Sequence, residues 1–123
     1  MKIKIKSLDK FSQNYEKEFE LIKVTDLDKK KEYHYSDEYG ICKIVDNHDF
    51  IEIYRRGEIN SKQVFKVSKH TPFIYMTKQF HAKYKIFTKK FEKETDKIML
   101  EYDIMDNDDI INNIKLNIYF MKK

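Results

Sequence analysis

Hydrophobic and polar residues alternate with a period of two along most of this chain. Tyr33 and Tyr35 are flanked by polar residues, and longer alternating runs lie at residues 2–6, 51–54, 80–88, 98–105 and 114–121. Successive side chains of a β-strand point to opposite faces, so each run has one apolar and one polar face. The pattern therefore predicts half-buried strands of an antiparallel sheet with one solvated side.

Turn-forming residues separate these runs, at 46–47, 56–57, 60–61, 70–72, 95–96 and 106–109. The spacing predicts about eight to ten strands joined by short turns. A sheet with so many short strands closes into a barrel or folds into a sandwich, because open edges invite aggregation. We expect an all-β chain with a single domain over residues 1–123.

Two segments, 15–27 and 83–97, are rich in Glu and Lys and are also compatible with helices. Tyr15, Phe19 and Ile22 even have helical spacing. The second segment, however, continues the strict alternation that starts at Phe80, with β-branched or aromatic residues at its inner positions. We predict strands for both segments.

The composition is that of one domain with a core of its own. The chain has 123 residues, of which 41% are hydrophobic, including nine Tyr and nine Phe. Cys42 is the one cysteine, which excludes an intrachain disulfide and fits a reducing compartment. The first residues lack the apolar core of a signal peptide, and no uncharged run is long enough to span a membrane. We expect a cytoplasmic protein without a membrane segment.

The positive charge is concentrated in residues 62–93, which contain nine lysines and one acid, Glu92. A lysine strip, accompanied by His81 and Phe87, would attract RNA or another polyanion; it comprises Lys78, Lys83, Lys85, Lys89 and Lys90. The same residues equally describe the solvated face of a strand, where lysines deter edge aggregation. No known nucleic-acid-binding motif accompanies them.

Arg55 and Arg56 are the only arginines and directly precede Gly57. Ile51, Ile53 and Arg55 share one face of the predicted strand, so Arg55 points inward and Arg56 outward. Gly57 would supply the permissive φ of a tight turn. Arg55 either anchors an anionic group at a barrel mouth or closes the barrel end through polar contacts. In both cases a buried guanidinium requires a partner.

Aromatic residues occupy many of the predicted inner positions. A small barrel is either filled by such side chains or wide enough for one small ligand. In the second case a partly apolar ligand would be oriented by Arg55 and by the hydroxyl groups of five residues: Tyr75, Thr77, Tyr84, Thr88 and Tyr102.

Motifs of catalysis and metal binding are missing from the sequence. Gly-x-Ser-x-Gly, P-loop and HExxH patterns do not occur. Cys42 with His34 or His48 is a conceivable Cys–His pair, but a lone Cys in an Ile-Cys-Lys-Ile strand is typical of a small buried hydrophobe. Residues 106–109 open like a calcium loop but lack the later Gly and Glu. We predict a protein without catalytic residues, metal or cofactor.

Five stretches together carry a family resemblance. They are IEIYRRGEI (51–59), Phe65, FIYMTKQF (73–80), Thr88 within YKIFTKKF, and DKIMLEYDIM (96–105). From about residue 32 to 120 the chain resembles the YwiB-like family of uncharacterised bacterial calycin-like β-barrels. The family's Arg-x-Gly matches residues 55–57, its aromatic and hydroxyl pair matches Tyr75 and Thr77, and its Thr matches Thr88. Residues 78–80 depart from the family pattern, which has a Gly there.

The resemblance implies a single antiparallel calycin-like β-barrel, a cytoplasmic setting and no established activity. The function that we expect is non-enzymatic binding of a small, partly apolar or anionic ligand in the barrel lumen. Binding of RNA or another polyanion through the lysine strip is one alternative. A protein interaction module or homodimer formed through an exposed sheet face is another.

Overall fold

The computed structural model describes residues 1–121 and confirms the all-β prediction. Its eleven strands are β1 (Lys2–Asp9), β2 (Asn14–Glu20), β3 (Lys23–Leu27), β4 (Lys30–Asp37), β5 (Gly40–Asp46), β6 (Ile51–Gly57), β7 (Asn60–Phe65), β8 (His70–Met76), β9 (His81–Glu94), β10 (Lys97–Asp106) and β11 (Asp109–Met121). The count slightly exceeds the eight to ten that we predicted. Within the described residues no helix is long and apolar enough to cross a membrane.

All eleven strands belong to one antiparallel sheet. From β3 to β11 each strand pairs with the next, and β1 then pairs with β11 while β2 pairs with β1. The edge strands of this order are β2 and β3, which are separated in the chain only by Leu21 and Ile22. The sheet therefore curls so that one bent segment joins its two edges.

Contacts around the bend hold the two edges together. The Leu21 amide donates to the Met1 carbonyl at 3.0 Å, and the Ile22 amide donates to the His34 carbonyl at 2.7 Å. The Phe19 ring in β2 lies 5.1 Å from the Tyr35 ring in β4. Segment 15–27 is thus extended, as predicted, and serves as the closing edge of a barrel-like sheet.

The inner face of the curled sheet forms one hydrophobic core. Its buried members are Ile3, Tyr33, Tyr35, Cys42, Ile44, Ile51, Phe65, Ile86, Ile98, Leu100, Tyr102, Leu116 and Ile118. Burial of each large apolar side chain contributes about 1.5–3 kcal/mol before entropic costs. The alternation in the sequence placed most of these residues on the inner face correctly, whereas Cys42, Ile44 and Phe65 lie outside the alternating runs.

The role that we predicted for Gly57 is wrong. Its φ lies outside the left-handed region, whereas the φ of its cross-strand partner Gly40 is +154°. A Cβ on Gly57 would lie 2.5 Å from the Tyr39 carbonyl oxygen, and one on Gly40 would lie 2.4 Å from the Arg56 carbonyl oxygen. Close approach of two backbones, rather than a positive φ at residue 57, requires this glycine.

Candidate functional site

Arg55 points inward near the end of β6, as predicted, and has a carboxylate partner. Its Nε and Nη2 atoms donate to Oδ2 of Asp37, at the end of β4, at 3.1 and 2.8 Å. The side chains of Arg55 and Asp37 are 29% and 7% exposed, so the pair lies at the boundary between the barrel interior and solvent. Arg56 is exposed on the outer face.

The Arg55–Asp37 pair is held in its ionised form. Burial alone would raise the pKa of the Asp37 carboxyl, but hydrogen bonds from Arg55 and from the Tyr39 amide outweigh it and lower that pKa. Burial alone would lower the pKa of Arg55, but the contact with Asp37 raises it above its usual value. The pair consequently carries no net charge at neutral pH.

A cavity of about 170 Å³ lies on the inner side of this pair. Most of its wall is apolar: Ile5, Phe19, Ile44, Ile53, Ile114, Leu116 and Ile118. Among the described residues, Asp37 and Arg55 are the only charged groups that line it, and Ser7, Tyr15, Tyr35, Gln63 and Tyr102 add polar atoms. A dry cavity of about 150 Å³ is large enough for benzene, so this one has room for a small organic molecule.

Tyr102, on β10, presents a neutral phenol to this cavity. Its ring packs edge-on against Phe65 with the centroids 4.7 Å apart. Burial raises the pKa of Tyr102, so the hydroxyl stays protonated. Within residues 1–121 that hydroxyl has no hydrogen-bond partner, which leaves it available to a ligand.

Tyr75 and Tyr84, which we predicted as ligand residues, lie away from the cavity wall. They pack against Phe73 beneath β8 and β9, with centroid distances of 6.5 Å from Tyr75 and 5.7 Å from Tyr84. Phe80 extends this cluster at 6.3 Å from Tyr75. In this cluster Phe73, Tyr75 and Tyr84 are half-buried, whereas Phe80 is 52% exposed at its outer edge.

Thr77 and Thr88 also lie outside the cavity lining. Thr77 is in the β8–β9 turn, where its Oγ1 accepts from the Gln79 amide at 3.3 Å. Thr88 is fully buried in β9, opposite Tyr102, and its hydroxyl has no partner among the described residues. The cavity thus brings together Arg55 and Tyr102 from the predicted set, but none of the other four.

The predicted lysine strip is only partly free. Lys83 and Lys85 are exposed on the outer face of β9, and Lys78 is exposed in the preceding turn. Lys89 instead contacts Oδ1 of buried Asp103 at 3.2 Å, an oxygen that also accepts from Asn113 at 2.9 Å. Lys89, one of the five lysines of the predicted strip, is therefore neutralised internally.

Cys42 has no histidine partner in the part of the chain that the structure describes. It is buried across the ladder from Arg55, and burial raises the pKa of its thiol. His34 lies on the opposite face of the sheet, where its Nε2 is 3.3 Å from Glu32, and His48 is exposed in the β5–β6 turn. Within the described residues, no three His, Cys, Asp or Glu side chains cluster as metal ligands.

Comparison with known proteins now gives the family. The model of a domain of unknown function, DUF1934, matches residues 3–118, which is nearly the whole chain. The chain belongs to the DUF1934 family. No curated protein matches it.

The fold of this DUF1934 protein is also that of a solved structure. The crystal structure of ywiB protein from Bacillus subtilis superposes with a TM-score of 0.71 at 16% sequence identity. The match covers 98% of this chain and 91% of that one. The resemblance seen in the sequence is thereby confirmed, and at this identity it establishes the fold alone.

Asp37 is the site residue that our sequence analysis missed. Tyr33, Tyr35 and Asp37 are spaced two residues apart, and alternate residues of a strand face the same side of the sheet. Because the two tyrosines were predicted to face inward, Asp37 could have been predicted to face inward as well. An acid at an inward position near a strand end is the expected partner for an inward arginine. The strand register, which brings β4 and β6 onto either side of β5, was needed to pair them.

Proposed function

We propose that this DUF1934 protein is a cytoplasmic, non-enzymatic binding protein that takes a small, neutral, largely apolar molecule into the cavity behind Arg55. One observation carries the proposal. An apolar cavity of about 170 Å³ contains an ion pair without net charge and a phenol that has no hydrogen-bond partner among residues 1–121. Few convergent polar groups on an apolar wall are characteristic of ligand sites.

The balance of charge favours a neutral ligand over the anion that an unpaired Arg55 would bind. Asp37 already neutralises the guanidinium, so an ionised ligand would add an uncompensated charge to a largely apolar site. A molecule with one acceptor and one donor would instead use Tyr102 and the Arg55–Asp37 pair. By comparison with cavities that hold benzene, about six to ten of its non-hydrogen atoms would be enclosed.

The titratable groups in the cavity wall, and Cys42 across the ladder from Arg55, support a non-enzymatic role. Burial raises the pKa of Tyr35, Tyr102 and Cys42, while Arg55 lowers that of Asp37. Each shift stabilises the resting protonation state, whereas general acid–base catalysis needs a group with a pKa near the working pH. The buried thiol of Cys42 is also consistent with a reducing compartment.

A thermal-shift screen with neutral fragments, such as small aromatic alcohols, amides and lactones, tests the proposal. We expect hits to raise the Tm of the wild type and of Tyr84→Phe, which loses a hydroxyl outside the cavity. The same hits should give a smaller shift in Tyr102→Phe. A ligand at 100 times its Kd adds about 2.7 kcal/mol, which such a screen detects. Failure of every fragment, or equal shifts in both variants, would refute a site at Tyr102.

Polyanion binding is the second candidate, favoured by exposed Lys78, Lys83 and Lys85. The internal contact of Lys89 with Asp103 weakens it. If it holds, oligonucleotide binding will fall steeply with salt and will be lost in Lys83→Glu/Lys85→Glu. Binding that is absent or insensitive to salt would exclude it.

A further inference from the structure

The outer face of β5–β8 carries a groove of about 510 Å³, whose lining shares Arg55 with the proposed ligand cavity on the inner side of the sheet. Lys43, Tyr54 and Lys62 stand side by side on three neighbouring strands. The two ammonium groups lie 5.0 and 5.8 Å from the centroid of the Tyr54 ring. Ile41 and Met76, which are 63% and 37% exposed, provide apolar surface in the same groove.

Two cations of the groove, Arg56 and Lys62, make no ion pair within residues 1–121, and no carboxylate of those residues lines the groove. Lys43 makes no ion pair there either, but its charge acts on the nearby Glu32 carboxylate and lowers the pKa of that group. Unpaired cations beside exposed apolar side chains are complementary to a partner that is both acidic and apolar. The ammonium groups occupy the space over Tyr54 where a nucleic-acid base would stack, which favours a protein partner.

The chain itself contains a segment with the matching chemistry, the hairpin tip of residues 106–111. Asp106, Asp108 and Asp109 are exposed and make no ion pair within the part of the chain that the structure describes. Ile110 and Ile111, directly after them, are 53% and 39% exposed.

The tip also lies where a second molecule can reach it. Residues 109–113 of β11 lie beyond the last pair with β1, Asp9–Ile114, and the Lys10 amide that follows β1 reaches only as far as Asn112 Oδ1, at 3.3 Å. β1 therefore does not cover residues 109–111 of the tip. Because β6, β8 and β10 run in the same direction, the tip and the groove residues Arg56 and Met76 lie toward the same end of the barrel.

We infer that the groove receives the acidic hairpin tip of a second copy of this chain. Two barrels that meet at this end insert residues 106–111 into each other's groove, which gives a reciprocal contact of two-fold symmetry. Aspartates then meet Lys43, Arg56 and Lys62, while the two isoleucines pack on Ile41 and Met76.

Charge reversal on each side of the contact tests this interface. The groove variant is Arg56→Glu/Lys62→Glu, and the tip variant is Asp108→Lys/Asp109→Lys. Lys66→Glu/Lys69→Glu, in the β7–β8 turn at the other end of the barrel, is the matched control. Light scattering during size-exclusion chromatography and sedimentation velocity, over a range of concentration and salt, give the mass, and circular dichroism checks folding.

We expect the wild type and the control to dimerise, and each reversed variant alone to bind itself at least tenfold more weakly. An equimolar mixture of the two reversed variants should recover the dimer, because each reversed groove then faces a reversed tip. A monomeric wild type, or dimers that the groove variant leaves intact, would overturn the inference. So would a mixture that stays monomeric, or a monomer that binds only an unrelated acidic peptide.

Discussion

The two ends of the barrel interior follow different rules. Around Ile98, Leu100 and Ile51 the inner face is aliphatic, and these side chains are fully or almost fully buried. Toward Arg55 the same inner face carries an ion pair, a phenol and a cavity. The first end is what a stable sheet needs, whereas the second places polar groups inward at a cost in stability. Such local departures from the packing rule are expected where a fold binds something.

Replacing one isoleucine at each end by alanine should give the largest change in the free energy of unfolding. It is also the most direct test of the difference in packing between the two ends. Ile98 is 2% exposed outside the cavity, and Ile53 is a half-buried residue of the cavity wall. We expect Ile98→Ala to lower the free energy of unfolding by about 4 kcal/mol and Ile53→Ala by about 2 kcal/mol. Urea denaturation of both variants measures the difference. Equal losses would mean that the two ends are packed alike.

Breaking the Arg55–Asp37 ion pair should give the next largest loss in the free energy of unfolding. Arg55→Met leaves the nearly buried Asp37 carboxylate without its partner, so we expect a loss of about 2–3 kcal/mol at neutral pH. Arg55→Met/Asp37→Asn removes both charges and should recover part of that loss. A double-mutant cycle that also includes Asp37→Asn measures the coupling. A coupling below about 0.5 kcal/mol would show that the pair behaves like a surface contact.

The pH dependence of the same pair has a definite sign. Because the pKa of Asp37 is lowered in the folded state, its stabilising contribution is complete above the unfolded pKa of about 3.9. The contribution is lost as the pH falls through the folded value. The stability difference between wild type and Asp37→Asn should therefore be constant from about pH 7 to 5 and shrink below about pH 5. A difference that grows on acidification would contradict this assignment.

The packed end of the barrel interior could be predicted from the sequence more completely than the end with the cavity, and the reason is physical. Alternation alone fixes which side of the sheet a residue faces, so the core positions and the inward Arg55 were predictable. It does not fix how far apart two inward residues lie around a curled sheet. That is why Tyr75 and Tyr84 were grouped with Arg55, although their rings pack against Phe73 beneath β8 and β9.

Strand register and curvature decide the remaining features. Asp37 reaches Arg55 across the intervening β5, and the chain bend at Leu21 and Ile22 determines where β2 meets β4. Both depend on pairings between distant residues that one sequence does not specify. The glycine pair of residues 40 and 57 is similar, because its close approach exists only once β5 and β6 are in register.

Tyr102→Phe should have the smallest effect on stability, and it tests most directly whether the polar group of the cavity has a structural role. Tyr102→Phe removes a hydroxyl that has no partner within residues 1–121, so its loss should change the free energy of unfolding by less than about 0.5 kcal/mol. The neighbouring Asp103→Asn weakens a carboxylate contact with Lys89 and Asn113 and should cost about 1 kcal/mol. Thermal and urea unfolding of the two variants provide the comparison. If Tyr102→Phe proved the more damaging, its hydroxyl would have a structural role, and the cavity would lose the polar group that we assign to a ligand.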